Sequence, residues 1–206
     1  RLPWAVALVI SVVVASVAVL MPSASAAITG VSAVQPTPNT AGATASYSIM
    51  IQNASALVAG QTITLSGPTG TTFTNNALDY TIAGSNPSLA SPTTGGVVLT
   101  LAAPVSGSIA IVAGNVVNPT TAGSYSLSVI TTVDTVPVTS SPNYTIAAGP
   151  PASIWATSGS GQNTSVASSF GTLLTATVKD QFGNPAPVPA SSVLFTVVPG
   201  TATASF

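Results

Sequence analysis

The chain has 206 residues, of which 46% are hydrophobic and only 2% charged, with 17 Gly, 17 Pro, no Cys, no His and a formal net charge of -1. Soluble domains carry charge on roughly a quarter of their residues, so solvation here rests on Ser, Thr, Asn and Gln. The charged residues are Arg1, Asp79, Asp134, Lys179 and Asp180; they provide no cationic cluster to displace counterions, which excludes a nucleic-acid partner. The lack of cysteine excludes disulfides, a lipoprotein anchor, a thiol nucleophile and thiolate zinc sites. Weak charge repulsion also favours association, which suits a crowded or assembled surface.

Residues 1–26 read as an export signal: Arg1, an apolar helical run from Ala5 to Met21, then Pro22 and the small triplet Ala24-Ser25-Ala26, with cleavage expected before Ala27. The competing reading is an uncleaved anchor, because the apolar run approaches the roughly 17 residues that span a membrane. Pro22 and the triplet stand where processing needs them, and favour cleavage. The first residue is Arg, so part of the basic start is expected upstream.

Residues 27–147 show period-2 runs between breakers, the pattern of a β-sandwich. Tyr47, Ile49 and Ile51 share a face, as do Ile63 with Leu65, Tyr80 with Ile82, and Val97, Leu99 and Leu101. Phe73, Ile109 with Ile111, the run Tyr125, Leu127 and Val129, and Tyr144 with Ile146 complete the series. Between them lie Gly67-Pro68, Asn75-Asn76, Asn86-Pro87, Gly95-Gly96, Asn118-Pro119 and Ser141-Pro142, where backbone dihedrals favour turns. No window holds a 3.6 period, so almost no helix is expected after the signal. Residues 148–152, within AAGPPA, form the expected linker, since Gly followed by two prolines ends sheet pairing and stiffens the joint.

Residues 153–206 contain LLTATVKDQFGNPAPVPASSVLFTVVPG, which reads as a β-hairpin. Leu174, Ala176 and Val178 alternate with Thr175, Thr177 and Lys179; beyond a loop carrying Gly183, Asn184 and Pro185, Val193, Phe195 and Val197 repeat the pattern, with the return strand starting near Ser192. The order Pro151-Ala152-Ser153-Ile154, Ser158-Gly159-Ser160-Gly161-Gln162, Phe170-Gly171, ATVKDQFGNP and SSVLFTV resembles the bacterial immunoglobulin-like domains of the invasin and intimin type. The resemblance covers about a quarter of the chain and is most specific at Asp180 to Pro185. It implies tandem, non-enzymatic domains in stalks or tips of surface proteins. It also implies an incomplete domain here, since such a sandwich needs about seven strands in roughly 100 residues, with further repeats expected beyond Phe206. More loosely, Asn118-Pro119-Thr120-Thr121-Ala122-Gly123-Ser124-Tyr125 resembles segments of all-β modules in secreted bacterial surface proteins.

Chemistry has few residues to draw on. A paired-carboxylate mechanism needs two carboxyls roughly 5 to 9.5 Å apart, and Asp79 and Asp134 read instead as solvated strand-end residues. Serine lacks a His base, and Lys179 reads as an outward strand residue guarding an edge. Asp180 and Asn184 offer oxygens to calcium, which takes about 6 to 8 of them; turn stabilisation is the simpler role. Asn53, Asn143 and Asn163 each begin a glycosylation triplet of a kind that arises by chance in Ser/Thr-rich chains. Trp155 and the tyrosines could stack on sugar rings, but Trp155 is expected to pack at the domain junction.

The expected molecule is all-β: immunoglobulin-like β-sandwich domains in tandem after an N-terminal signal helix. No catalytic, cofactor-binding or metal residues are assigned, and no cofactor is expected. The expected function is that of an exported cell-surface structural or adhesive protein, a stalk or spacer without catalytic activity. Its partners would be surface or extracellular polymers or copies of itself, with membrane contact only through the signal segment. The alternative is an accessory or carbohydrate-binding module of a larger secreted hydrolase.

Overall fold

The computed structural model describes residues 27–33, 35–188 and 193–196; the expected signal helix lies outside them. The described chain is all-β, with thirteen strands, one 3-10 turn and no α-helix. One sheet has the order β1-β2-β7-β4, formed by Gly30–Ala33, Thr44–Leu57, Val105–Val117 and Tyr80–Ile82. Facing it is β10-β9-β3-β6-β5, formed by Val138–Thr139, Ser128–Thr131, Thr62–Ser66, Gly96–Thr100 and Leu89–Thr93. All the ladders within these sheets are antiparallel.

Alternation builds the core. In β2, Ala45, Tyr47, Ile49 and Ile51 are buried and their neighbours exposed, because a period-2 backbone sends successive side chains to opposite faces. They meet Ile63, Leu65, Val97, Leu99 and Val129 of the other sheet in one cluster running from Ile28 to Ile146. Each buried Ile or Leu contributes roughly 2 kcal/mol of transfer free energy. Packing can therefore hold the sheets together without crosslinks.

The run Tyr125 to Val129 reads as one strand in the sequence, but the chain changes sheets within it. Gly123–Tyr125 (β8) pairs with Tyr144–Ile146 (β11), while β9 joins β3 and β10. Leu127, between them, is buried, and its backbone N–H and carbonyl both bond Ser140. The edge strand β5 escapes a period-2 reading because its side chains are exposed except for Ala90 and it contains Pro92, which an edge tolerates.

Asp134 is buried, contrary to the solvated reading. Its Oδ2 accepts from Ser55 N–H at 2.9 Å and its Oδ1 from Ser55 Oγ at 2.6 Å, tying the loop after β9 to an irregular stretch of β2. A bulge frees backbone N–H groups from the ladder, and here a carboxylate takes one. Asp79 is half-buried in the 3-10 turn Ala77–Asp79; its carboxylate accepts from Thr74 Oγ1 at 2.7 Å and Asn115 Nδ2 at 2.8 Å.

Beyond the sandwich, Ser153–Ser158 (β12) pairs with Thr175–Lys179 (β13). The alternation expected for β13 holds, since Val178 opposes Ile154 and Ala176 opposes Ala156. The expected return arm lies mostly outside the described residues, Val197 included; residues 193–196 form no strand, and among the described residues Pro185 and Ala186 make the backbone pairing beside β13. Pro185 and Pro187 flank Ala186 and have no N–H to give, so the ladder stops after the single bond from Ala186 N–H to Val178 O.

The chain enters and leaves the sandwich at opposite ends. Thr29 N–H donates to Gln52 O late in β2, whereas Ala147 is held by Asn39 and Ala41, just before β2 begins. About eight residues of strand separate these levels, roughly 25 Å.

At the exit end, fully buried Asn118 joins three segments. Its Oδ1 accepts from Tyr47 Oη at 2.7 Å, its Nδ2 donates to Pro38 O at 3.0 Å and Thr40 O at 2.9 Å, and its N–H donates to Ala43 O. Burial pushes the Tyr47 phenol up to about 12, so it stays a donor at physiological pH. Asn118→Ala removes partners from several buried groups at once, and should lower the unfolding free energy of the chain by about 3 kcal/mol in urea titrations; a loss under about 1 kcal/mol would contradict this role.

Candidate functional site

The junction between the sandwich and the β12–β13 sheet is the most elaborately bonded site in the described chain. Its floor is the segment after β7: Pro119 O accepts from Gly42 N–H at 3.0 Å, leaving Thr120 O and Ala122 N–H turned outward. Onto them docks the turn from Asp180 to Pro185. Asn184 Oδ1 accepts from Ala122 N–H at 2.9 Å and its Nδ2 donates to Thr120 O at 2.8 Å, so one amide satisfies a donor and an acceptor of the sandwich backbone.

The turn is organised from within by Asp180, which is 2% exposed. Its Oδ1 accepts from Phe182 N–H at 2.9 Å and Asn184 N–H at 2.8 Å; its Oδ2 accepts from Asn184 Nδ2 at 2.8 Å and from Gly149 N–H of the linker at 2.8 Å. Gly183 adopts φ 86°, a region that a glycine enters without strain. Burial alone would push the carboxyl up. The bonds from Asn184, Gly149 and Phe182 favour the ionised form more strongly and hold its pKa at about 2.

Phe182 adds an apolar contact. Its ring lies over Gly42, where a Cβ would come within 2.3 Å of Phe182 Cζ, and Gly42 itself has φ +67°. Linker, turn, loop 40–43 and segment 118–122 therefore meet at one point. The prolines at 150 and 151 stiffen the linker, but bonds from Gly149 N–H to Asp180 and from Ala152 N–H to Lys179 O set its path.

Asp180 and Asn184, considered in the sequence as calcium ligands or turn residues, come together in the second role, with every carboxylate oxygen and the amide oxygen taken by N–H donors. Among the described residues no three metal-ligating carboxylate, His or Cys side chains cluster. Asp79 and Asp134 do not meet. Asp79 bonds Asn115, whose neighbour Val116 opposes Ala45, while Asp134 bonds Ser55 near the other end of β2, roughly 25–30 Å along the strand. A two-carboxylate mechanism needs under about 10 Å.

Lys179 is half-buried on β13. Trp155 is 60% exposed, and its indole N–H donates to Ser153 Oγ at 3.2 Å instead of packing at the junction as expected. Of the three glycosylation triplets, the Asn53 one is structural: Asn53 donates to Thr29 Oγ1, while Ser55 is buried on Asp134. Asn143 and Asn163 are exposed. Gly42 had no signal in the sequence, where it reads as an ordinary loop glycine, and Gly149 read as part of the linker with nothing to mark its bond to Asp180. No family model and no curated protein matches the chain.

Removing the amide by Asn184→Ala should speed hydrogen exchange at the Ala122 and Gly149 amides roughly tenfold or more, the equivalent of losing one or two net hydrogen bonds, while the Ile63 and Leu65 amides are unchanged. Gly42→Val should do the same by displacing Phe182. Unchanged exchange at Ala122 and Gly149 in both variants would refute the docking role.

Proposed function

We propose that the protein is an exported structural element of a cell surface, a stalk or spacer built from immunoglobulin-like sandwiches and without catalytic activity. The observation that carries this reading is the placement of the two chain crossings. The chain passes into the sandwich at one end and out at the other, and the outgoing linker is clamped at once to the turn after β13. A module with both crossings at one end adds bulk; one with crossings at opposite ends adds length, roughly 25 Å of strand here. A clamped exit converts that length into reach, since a flexible joint lets successive modules fold back on one another.

The composition supports the same reading. A nearly uncharged, cysteine-free chain stabilised by packed sheets suits a mechanical role outside the cell, and residues 1–26 have the order of an export signal. The resemblance of Asp180 to Pro185 to the corresponding turn of invasin-type domains points the same way.

One observation favours a second reading, a carbohydrate-contacting accessory module. The exposed Trp155 stands on the hydroxyl-bearing face of the β12–β13 sheet, opposite Thr177 and beside Thr157. An exposed indole on a flat polar face can stack on a sugar ring.

Fused ahead of a phosphatase that is active only outside the cytoplasm, the chain should confer activity on bacterial cells. The product should begin at Ala27, and deletion of residues 1–26 should abolish the activity. Phosphatase confined to the cytoplasm despite an intact residue 1–26 segment would overturn the exported reading. In the same protein, a Trp155 fluorescence change with soluble polysaccharide that Trp155→Ala removes would favour the accessory module instead.

A further inference from the structure

We propose that the junction is a proton-released latch: ionised Asp180 holds the 180–185 turn and the linker on the sandwich, and its protonation turns a fixed joint into a hinge at residues 148–152. Donor and acceptor counting carries the inference. Four N–H groups, those of Phe182, Asn184 and Gly149 and the Asn184 amide, converge on two carboxylate oxygens. A neutral carboxyl carries a proton on one oxygen and would face a donor with a donor. At 2% exposure there is little room for water to take the displaced bond, and a buried unpaired donor is costly.

The disturbance would spread because Asn184 is shared. Its Nδ2 bonds Asp180 Oδ2 and Thr120 O, and its Oδ1 accepts from Ala122 N–H. Losing Asp180 as an acceptor frees the same amide that docks the turn. Gly149, the linker's attachment, is freed by the same event. The two parts then retain Phe182 against Gly42, the stiff Pro150-Pro151 segment and an Asn184 amide no longer held in place by Asp180.

No other titratable group confuses the assignment. The linker 147–152, the loop 40–43 and residues 181–188 contain none. Segment 118–125 contributes Tyr125, whose hydroxyl donates to Thr121 O, and β13 contributes Lys179, the sequence neighbour of Asp180. Neither is a carboxyl group. The folded carboxyl titrates at about 2, below the roughly 3.9 of a free aspartate. Its stabilising contribution is thus complete above about pH 4 and is lost as pH falls through about 2. The joint is locked at neutral and mildly acid pH and opens only in strong acid.

The absence of cysteine allows the 206-residue chain to be spin-labelled at Ser91→Cys and Thr157→Cys, exposed positions on either side of the junction. One narrow distance is expected at pH 7, broadening as pH falls from about 4 to about 2. Asp180→Asn, which places an amide donor where the neutral carboxyl has its proton, should be broad already at pH 7. The near-ultraviolet signal of buried Tyr47, Tyr80 and Tyr144 should persist in both cases, showing the sandwich intact. A narrow distance in Asp180→Asn at pH 7 would overturn the latch. So would broadening that coincides with loss of the tyrosine signal, since the joint would then not open independently. Asn184→Asp, which loses the donor to Thr120 and sets a second carboxylate against Asp180 Oδ2, should also be broad at pH 7.

Discussion

The arrangement of this chain beyond its sandwich depends on one buried carboxylate. Asp180 collects N–H groups from its own turn, from the next side chain in the dock, and from the linker. Each bond is individually modest, but together they hold an ionised carboxylate at a site that is only 2% exposed. Because one acceptor serves both the turn and the linker, the two cannot move separately. The joint is consequently a property of geometry rather than of buried area.

The same economy runs through the sandwich. With five charges in 206 residues, the aspartates are used as multi-donor acceptors: Asp134 ties a loop to a bulge of β2, and Asp79 ties a 3-10 turn to β7. Asn118 performs the equivalent neutral task at the exit end, under the docked turn. Apolar alternation decides which faces meet, and these few polar side chains decide where irregular segments stop. Placing Asn118 and Asn184 in one region makes the sandwich end itself part of the joint. An end-to-end spacer needs that combination of a rigid body and a defined exit.

Much of the sandwich was legible because a half-buried strand writes its register into the sequence. Tyr47 to Ile51, Ile63 with Leu65, and Val97 with Leu99 show the alternation they have in the fold. The breakers Gly67-Pro68 and Asn118-Pro119 fall just after strands, and Gly95-Gly96 carries the turn into the first residue of β6. What alternation does not encode is the partner of each strand, so the sheet change within Tyr125 to Val129 was invisible. The expected return arm falls largely outside the described residues; within them, Pro185 and Pro187 carry no N–H for a ladder and residues 193–196 form no strand, although Val193 and Phe195 alternate in the sequence. Trp155 was misplaced because aromatic burial is a tendency of packed sheets, and β12 has no second layer among the described residues. The joint was legible in parts: both halves, Asn118 to Tyr125 and Asp180 to Pro185, stand out as motifs. Their meeting does not, since Ala122 and Asn184 are 62 residues apart and the contact is made largely through backbone groups, which carry no residue signature.

The central claim is that sandwich and turn-bearing sheet form one body at neutral pH. Nitrogen-15 relaxation of the chain tests it most directly, by comparing rotational diffusion fitted separately to amides of β2, β3 and β7 and to amides of β12 and β13. A single anisotropic tensor fitting both sets is the predicted result; two sets with distinct correlation times, the β12–β13 set the faster, would contradict it.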